Sequence, residues 1–556
     1  MAKRWWKESI AYQVYPRSFM DSNGDGIGDL KGVTSKLDYL KDLGINVIWL
    51  SPMYKSPNDD NGYDISDYHE IMEEFGTMAD FDELLKEIHN RGMKLILDLV
   101  INHTSDEHPW FIESRSAKDN PKRDWYIWRD GKDGREPNNW ESIFGGPAWK
   151  YDEETGQFFM HLFSARQPDL NWENLKVRHA LYDMVNWWLE KKIDGFRVDA
   201  ISHIKKEPGF PDMPNPENRE FVSCFDYMMN VDGIDDFLTE FSKKTIKNYD
   251  VMTVGEANGV NIDDADKWVG EENGYFNMIF QFEHLGLWNK GEDNAVDVIS
   301  LKKTLTAWQY GLEGRGWNAL FLENHDQPRS VSSWGNPEKY WNESAKMLAA
   351  LYFLMKGTPF IYQGQEIGMT NVRFPNIEDY NDVGMVNYYH IEKAKGREHD
   401  DIMAVVWTNG RDNSRTPMQW DATNMGGFTS SDHTWLGVNP NYTKINVEEQ
   451  VYNPDSILHF YKKMILLRKQ HEVFVYGTYE LLLEEDPQLF VYSRTLGEQK
   501  AIVICNFSET QTACKLPAEL AELSSELVLN NYAAEDKELK ENLFLEPYET
   551  RVYLLG

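Results

Sequence analysis

Eight short apolar runs, each ending in polar residues, recur across the first two thirds of this 556-residue chain. They are IAYQVYPRSF (10–19), NVIWLSP (46–52), KLILDLVINH (94–103), GFRVDAISH (195–203), VMTVGEA (251–257), YFNMIFQFEH (275–284), NALFLENHD (318–326) and GTPFIYQGQEI (357–367). Helical patterns lie between several of them. DFDELLKEIHNRG (80–92) opens on an acidic cap and closes near Gly, and HALYDMVNWWLEKKIDG (179–195) has the same plan. Strands alternating with helices argue for a parallel sheet. Eight of them predict a (β/α)8 barrel of the α/β class, a fold that places catalytic groups at the C-terminal ends of its strands. Here those ends carry His103, Asp199, Glu256, His325, Asp326 and Glu366.

Two spacings break the rhythm. About ninety residues separate the third and fourth runs, and they are rich in Trp, Gly, Pro and Asn. One crossover helix needs far fewer, so an inserted subdomain is expected over 104–171. The barrel then occupies 1–103 and 172–479, with a second long polar insertion at about 368–455. From about 480 the pattern changes in kind. LFVYSRTL, KAIVICNFS, SELVLNN and TRVYLLG alternate and are separated by turns, which predicts an antiparallel β domain over 480–556.

Composition narrows the partners. The formal net charge is −34. A field of that sign repels nucleic acid and anionic membranes, so a small, neutral substrate is expected. The N-terminal stretch MAKRWWKESIAYQVYPRSF has no apolar core of a signal peptide, and no run is long enough to cross a membrane. Cys224, Cys505 and Cys514 lack metal-ligand or CxxC spacing. The expectation is a cytoplasmic monomer with reduced cysteines.

One run carries an oddity. In GFRVD, Arg197 and Asp199 share one face of a strand that otherwise reads as buried. A buried ion pair accounts for this, and so does a site that needs a charged carboxylate held in place.

Taken together, DLVINH (98–103), QPDLN (167–171), GFRVDAISH (195–203), VGEA (254–257), ENHDQPR (323–329) and YQGQEIGM (362–369) resemble the ordered motifs of the α-amylase family of glycoside hydrolases, in its oligo-1,6-glucosidase and α-glucosidase branch. The resemblance implies a retaining mechanism with Asp199 as nucleophile, Glu256 as general acid/base and Asp326 as transition-state stabiliser. It implies that His103 and His325 bind hydroxyls of the first sugar. Asp60 and Arg411 would grip the non-reducing terminal glucose and make the enzyme exo-acting, with Arg415 the rival of Arg411. Tyr63 would stack under that glucose. Retention requires two carboxyl groups about 5–5.5 Å apart. Arg197 is expected to depress the pKa of Asp199 and orient it.

The loop DSNGDGIGD (21–29) sets Asp21, Asn23, Asp25 and Asp29 at positions 1, 3, 5 and 9, with Gly26 at the sharp turn and the Ile27 carbonyl at position 7. Gly32 stands where an EF-hand has its bidentate Glu. The loop is similar to the calcium loop of this enzyme branch, so a structural Ca2+ is expected, with Mg2+ the alternative for a small cage.

Ala200, directly after the proposed nucleophile, bears on linkage. In the branch that this chain resembles, valine there accompanies α-1,6 activity and a smaller residue accompanies α-1,4 activity. The expectation is a retaining exo-α-glucosidase preferring α-1,4 links in short α-glucans, with transglucosylation as a side reaction. The alternatives are an oligo-1,6-glucosidase, a trehalose-6-phosphate hydrolase, and a non-catalytic protein like the transporter heavy chains.

Overall fold

The computed structural model describes residues 2–288, 296–533 and 537–556. Each of the eight apolar runs contributes one strand: β1 (Ala11–Val14), β2 (Val47–Leu50), β3 (Lys94–Val100), β4 (Gly195–Asp199), β5 (Met252–Glu256), β6 (Met278–Phe280), β7 (Ala319–Leu320) and β8 (Thr358–Tyr362). They form one parallel sheet in the order β6-β5-β4-β3-β2-β1-β8-β7. The sheet curls almost shut, and across the remaining seam Phe280 and Phe321 meet edge to face, with centroids 4.9 Å apart. The result is a TIM barrel. β1, β2, β4, β6, β7 and β8 are buried at every residue, which is why they read as continuous apolar runs rather than alternating ones.

The helices between them start slightly before their sequence patterns. The first, α1 (Met78–Asn90), is capped by Thr77 in a reciprocal capping box with Asp80, and it buries Phe81, Leu84, Leu85 and Ile88. The second, α2 (Leu175–Glu190), is capped by Asn174 and buries Val185, Trp188 and Leu189. Gly195 opens β4 at φ 145°, and a Cβ there would lie 1.8 Å from the Met252 carbonyl oxygen. Only glycine lets β4 and β5 approach this closely.

Between β3 and α2 lies a small three-stranded antiparallel sheet of Trp128–Arg129, Gln157–Met160 and Trp149–Asp152. The β4–β5 connection also reaches this region, where Val222–Ser223 pairs with Trp140–Glu141. Trp140, Trp149 and Met160 share one small core with Met213, Cys224 and Met228. Two connections therefore fold together above the barrel mouth.

The C-terminal sheet is antiparallel: β9 (Thr478–Leu482), β10 (Leu489–Leu496), β11 (Gln499–Asn506), β12 (Ser525–Asn530) and β13 (Thr550–Leu555), in the order β9-β10-β11-β13-β12. All three cysteines are buried, and none forms a disulfide. Among the described residues no helix is long and apolar enough to cross a membrane.

Candidate active site

The site is built outward from Arg197. Register places Arg197 of β4 directly opposite Asp98 of β3, and Arg197 Nη1 donates to Asp98 Oδ1 at 2.8 Å. The same nitrogen donates to Asp199 Oδ1 at 2.7 Å, and Nη2 donates to Glu256 Oε2 at 2.7 Å. One fully buried guanidinium thus fixes three carboxylates, Asp98 within β3 and Asp199 and Glu256 at the ends of their strands. Planar, permanently charged and multidentate, it suits that task better than a lysine. Tyr63 and Trp49 donate to the far oxygen of Asp98 at 2.9 and 3.1 Å.

β4 ends at Asp199, and Ala200 turns left-handed at φ 44°, ψ 32°. An ideal strand would point Ala200 away from the face of Asp199. The turn instead brings it to the cavity and lets its N–H donate to Glu256 Oε2 at 3.0 Å. A non-glycine residue held at positive φ is strained, and such strain persists where the surroundings enforce it.

Electrostatics around Asp199 differ from the sequence expectation. Burial pushes its carboxyl well above the usual range, and the neighbouring Glu256 and Asp98 add to the rise, while Arg197 opposes it. The expected depression by Arg197 is real as a component, but one cation shared among three carboxylates does not outweigh desolvation and like charge. Asp326 behaves oppositely. Burial works against its charge, yet His325, Arg411 and Arg415 hold it well below the usual carboxylate range.

Arg411 and Arg415 occupy different places. Arg411 lines the cavity; it reaches Asp60 at 3.2 Å, Asp326 at 3.4 Å and Asp382 at 2.9 Å. Arg415 is fully buried behind it, donating to Asp326 Oδ1 at 2.8 Å and to the His325 carbonyl at 3.0 Å. The long segment after β8 delivers both through a short helix, Asp412–Arg415, and the turn that precedes it.

The cavity, about 210 Å³, is lined by Asp60, Tyr63, His103, Asp199, Ala200, Glu256, Asp326 and Arg411. Phe144, Phe163, Phe225 and Phe282 add aromatic walls. His103 is buried beside the Tyr63 carbonyl, 3.0 Å from its Nε2, and burial pushes its pKa down to about 4, so the imidazole is neutral. His325 lies behind the lining. Its ring stacks on Tyr63 at 5.1 Å, Gln13 contacts its Nδ1 at 2.8 Å, and its Nε2 lies 3.1 Å from Asp326 Oδ2. Glu366 is elsewhere: it is buried and accepts from the hydroxyls of Tyr12 and Tyr39, each at 2.7 Å. Its place at a strand end therefore reflects packing.

Several contributors are not evident from sequence order. Asp98 sits inside the quoted DLVINH, but its partnership with Arg197 depends on strand register. Gln167 donates to Asp60 Oδ2 at 3.2 Å and lies 3.2 Å from His103 Nε2. Asp382 is the closest acid to Arg411.

Loop 21–29 lies outside the cavity. Asp21 accepts from the N–H groups of Asn23, Gly24 and Gly26, and from the Thr429 hydroxyl. Asp25 accepts from Asn23 Nδ2 at 3.0 Å and from the Ile27 N–H at 2.9 Å. Asp29 accepts from Ser22 and from the Gly32 N–H. The donors are the hard oxygens calcium takes, but they serve the loop's own N–H groups. Among the described residues no three His, Cys, Asp or Glu side chains are grouped to hold an ion.

Comparison with known proteins agrees with this arrangement. Residues 13–477 match the family described as "Alpha amylase, catalytic domain", and residues 489–552 match "Alpha-amylase SusG C-terminal domain". The chain is 59% identical over 554 residues to "Probable oligo-1,6-glucosidase 3" of Bacillus subtilis (strain 168), covering 100% of both chains. It is 54% identical over 560 residues to "Oligo-1,6-glucosidase" of Parageobacillus thermoglucosidasius, covering 100% of this chain and 99% of that one. Among solved structures, the trehalose-6-phosphate hydrolase of Bacillus licheniformis superposes with a TM-score of 0.92 at 44% identity, covering 100% of both chains. A catalytic-domain match across most of the chain, joined to full-length identity above half, means that this protein belongs to the α-amylase family (family 13) of glycoside hydrolases and is a glucosidase.

Proposed function

We propose that this enzyme is an oligo-1,6-glucosidase that releases glucose from the non-reducing ends of short α-glucans with retention of configuration. The observation that carries the chemistry is the Arg197 fork, which holds Asp199 and Glu256 side by side at the base of a small cavity. The names of the relatives at 54% and 59% identity support the α-1,6 linkage.

In the proposed mechanism a carboxylate oxygen of Asp199 attacks the anomeric carbon. The glycosidic C–O bond breaks, and the departing oxygen takes a proton from Glu256. Water then attacks the same carbon and gives its proton back to Glu256, and Asp199 leaves as carboxylate. A second sugar hydroxyl in place of that water gives transglucosylation. Burial and the neighbouring acids push the Asp199 carboxyl up and so favour its protonated form. Catalysis needs that proton on Glu256, and Arg197, donating to both groups, keeps Asp199 positioned as it ionises. Asp326, held as a carboxylate by His325, Arg411 and Arg415, faces the positive charge that develops on the sugar. Asp60 and Arg411 close one side of the cavity, which suits a chain end rather than a chain interior. Tyr63 and His103 complete the sugar-binding wall, with His325 stacked behind Tyr63.

A second reading, preference for α-1,4 links, rests on Ala200. It lines the cavity and leaves room beside the nucleophile that a valine would fill. Initial rates on isomaltose, maltose, sucrose and trehalose, after a positive p-nitrophenyl α-glucoside assay, decide between the readings. No release from the aryl glucoside would overturn both. For the 21–29 loop we propose a structural calcium held by Asp21, Asn23, Asp25, the Ile27 carbonyl and Asp29. Support comes from the donor chemistry, and the cation takes no part in the reaction steps. The buried cysteines, free of disulfides, suit a reducing, cytoplasmic setting.

A further inference from the structure

In the long segment after β8, the helices Val383–Ala394 and His399–Asn409 belong to a small core of their own, built on Ile377, Tyr380, Met403 and Val406. The turn that opens the first helix, Asn381–Asp382, reaches both sides of the Asp60–Arg411 pair. On one side Asn61, the neighbour of Asp60, donates from Nδ2 to Asn381 Oδ1 at 3.1 Å. On the other, Asp382 holds Arg411 by main chain and side chain. Asp382 Oδ2 accepts from the Arg411 N–H at 2.9 Å, Oδ1 accepts from its Nε at 2.9 Å, and Nη2 lies 2.9 Å from that same oxygen.

The hold is returned by the next residue along. Asp412 Oδ2 accepts from the N–H groups of Asn381 and Asp382 at 2.6 and 2.9 Å. Residues 411 and 412 are thus clasped to residues 381 and 382, and both aspartates are buried. Asp382 Oδ1 also accepts from the Gly384 N–H at 3.0 Å and so caps the helix. Burial works against the charge on Asp382, yet Arg411 and Arg415 hold its carboxyl below the usual carboxylate range. Asp60 and Asp326 reach Arg411 too, but both line the cavity, where the hydroxyls of an entering sugar compete for them. Asp382 does not line it. Its grip on the Nε–Nη2 edge therefore persists when sugar is bound, and contacts along one edge fix the plane of a guanidinium.

We propose that Asp382 is a positioning residue for the reaction, setting the plane of the Arg411 guanidinium that closes the cavity against the terminal glucose. The proposal rests on the reading that Arg411 and Asp60 grip that glucose. Asp382 touches no substrate; it acts through Arg411. Without it Arg411 keeps its charge and its two cavity partners but loses the contacts that aim it.

The test is a double-mutant cycle in the full chain, read as steady-state kinetics on p-nitrophenyl α-glucoside, whose aryl group makes the outcome independent of linkage preference. Asp382→Asn keeps a side chain that caps helices and removes the charge facing Arg411. It is expected to raise KM roughly tenfold or more, the scale of one pocket contact, with a smaller change in kcat. In an Arg411→Lys background the same substitution should cost no more than about twofold further, because residues that act through one another are not additive. Asp382→Ser also caps, so it takes the place of the first variant if that one misfolds. A wild-type KM in the folded Asp382 variant, or losses that add across the cycle, would overturn the proposal and leave Asp382 as a helix cap alone. A wild-type KM in Arg411→Lys would overturn the reading on which the proposal rests, and the proposal with it.

Discussion

The N–H of Ala200 donates to Glu256 Oε2 at 3.0 Å. The residue that follows one carboxylate of the pair therefore holds the other. Asp199 and Glu256 lie on neighbouring strands, and two tethers bind them: the Arg197 side chain and this backbone N–H. Both survive if the Glu256 carboxylate becomes an amide whose oxygen accepts in the same place.

Glu256→Gln is accordingly expected to fold as the wild type does and to lose the transferable proton. The drop in kcat should be ~10²–10⁴-fold, the scale of a general acid–base group. Aryl glucosides with good leaving groups need less protonation, so their glycosylation step should suffer less than that of isomaltose. Pre-steady-state rates on both substrates check this, and equal losses would reassign Glu256.

Arg411→Lys keeps the charge and removes the fork that spans Asp60, Asp326 and Asp382. Methylene-scale and single-contact changes in a pocket are worth about 1–3 kcal/mol, or roughly 10- to 200-fold. The expected change is a fall of that size in kcat/KM for disaccharides, with a higher KM. Arg415→Lys, behind the cavity, should act through Asp326 and lower kcat more than it raises KM. Steady-state kinetics of the two variants separate them.

Four buried histidines lower stability on mild acidification, against an opposite contribution from the buried carboxyls of Asp64 and Asp412, which burial pushes up to about 7 and about 6. Burial lowers the pKa of His103, His108, His203 and His284, each to about 4. An unfolded histidine titrates near 6.5. Between about pH 6.5 and 4 the unfolded chain binds protons that these folded imidazoles refuse, so the histidine contribution to stability declines as pH drops through that window and levels off below it. A shift of this size corresponds to roughly 3 kcal/mol per histidine at most. Urea midpoints at about pH 7 and pH 5, either side of the onset near 6.5, measure the slope. His284 lies outside the active-site cavity, and His284→Gln should flatten the slope without changing pocket chemistry. An unchanged slope in that variant would remove His284 from the account.

Chelation tests the 21–29 loop. A ligand bound only by the folded state adds about 2.7 kcal/mol at a hundredfold excess over Kd. Removing a structural calcium should therefore lower Tm by a few degrees, and Asp21→Ala should abolish the response to added Ca2+. Calorimetry with and without chelator reads this. Identical Tm values, with no copurifying metal, would leave a self-bonded acidic turn.

Much of the fold is legible in the sequence because a parallel strand buried on both faces must be apolar throughout, and eight such runs stand out. Asp199 and Glu256 are legible for the same reason, as polar residues that end apolar strands. What is not legible depends on register and on distant segments. Nothing local in DLVINH says that Asp98 will face Arg197, since that follows from the β3–β4 register. Asp382 meets Arg411 only through the folding of the long segment after β8. Val222–Ser223 joins the inserted region from the β4–β5 connection, with no motif to announce it. The rise in the Asp199 pKa is hidden too: the sequence displays the adjacent arginine but not the two carboxylates that share it.

Linkage is the last prediction, and it turns on Ala200. Its left-handed backbone at φ 44° puts it on the cavity wall beside Asp199. A valine there adds two methyl groups next to the space for the departing sugar. An α-1,6 bond has an extra rotatable torsion, so its leaving glucose can swing clear of that bulk, whereas an α-1,4 bond fixes the leaving ring closer. Ala200→Val should therefore depress maltose hydrolysis relative to isomaltose hydrolysis by roughly 10- to 200-fold in kcat/KM. A β-branched residue at positive φ also costs about 1–3 kcal/mol of strain, so Tm must be read alongside the rates. For the wild type, the proposed oligo-1,6-glucosidase activity requires isomaltose to be cleaved at least as fast as maltose. If maltose outruns isomaltose tenfold instead, the space beside Ala200 is being used by α-1,4-linked substrates, and the α-1,4 reading replaces the α-1,6 one.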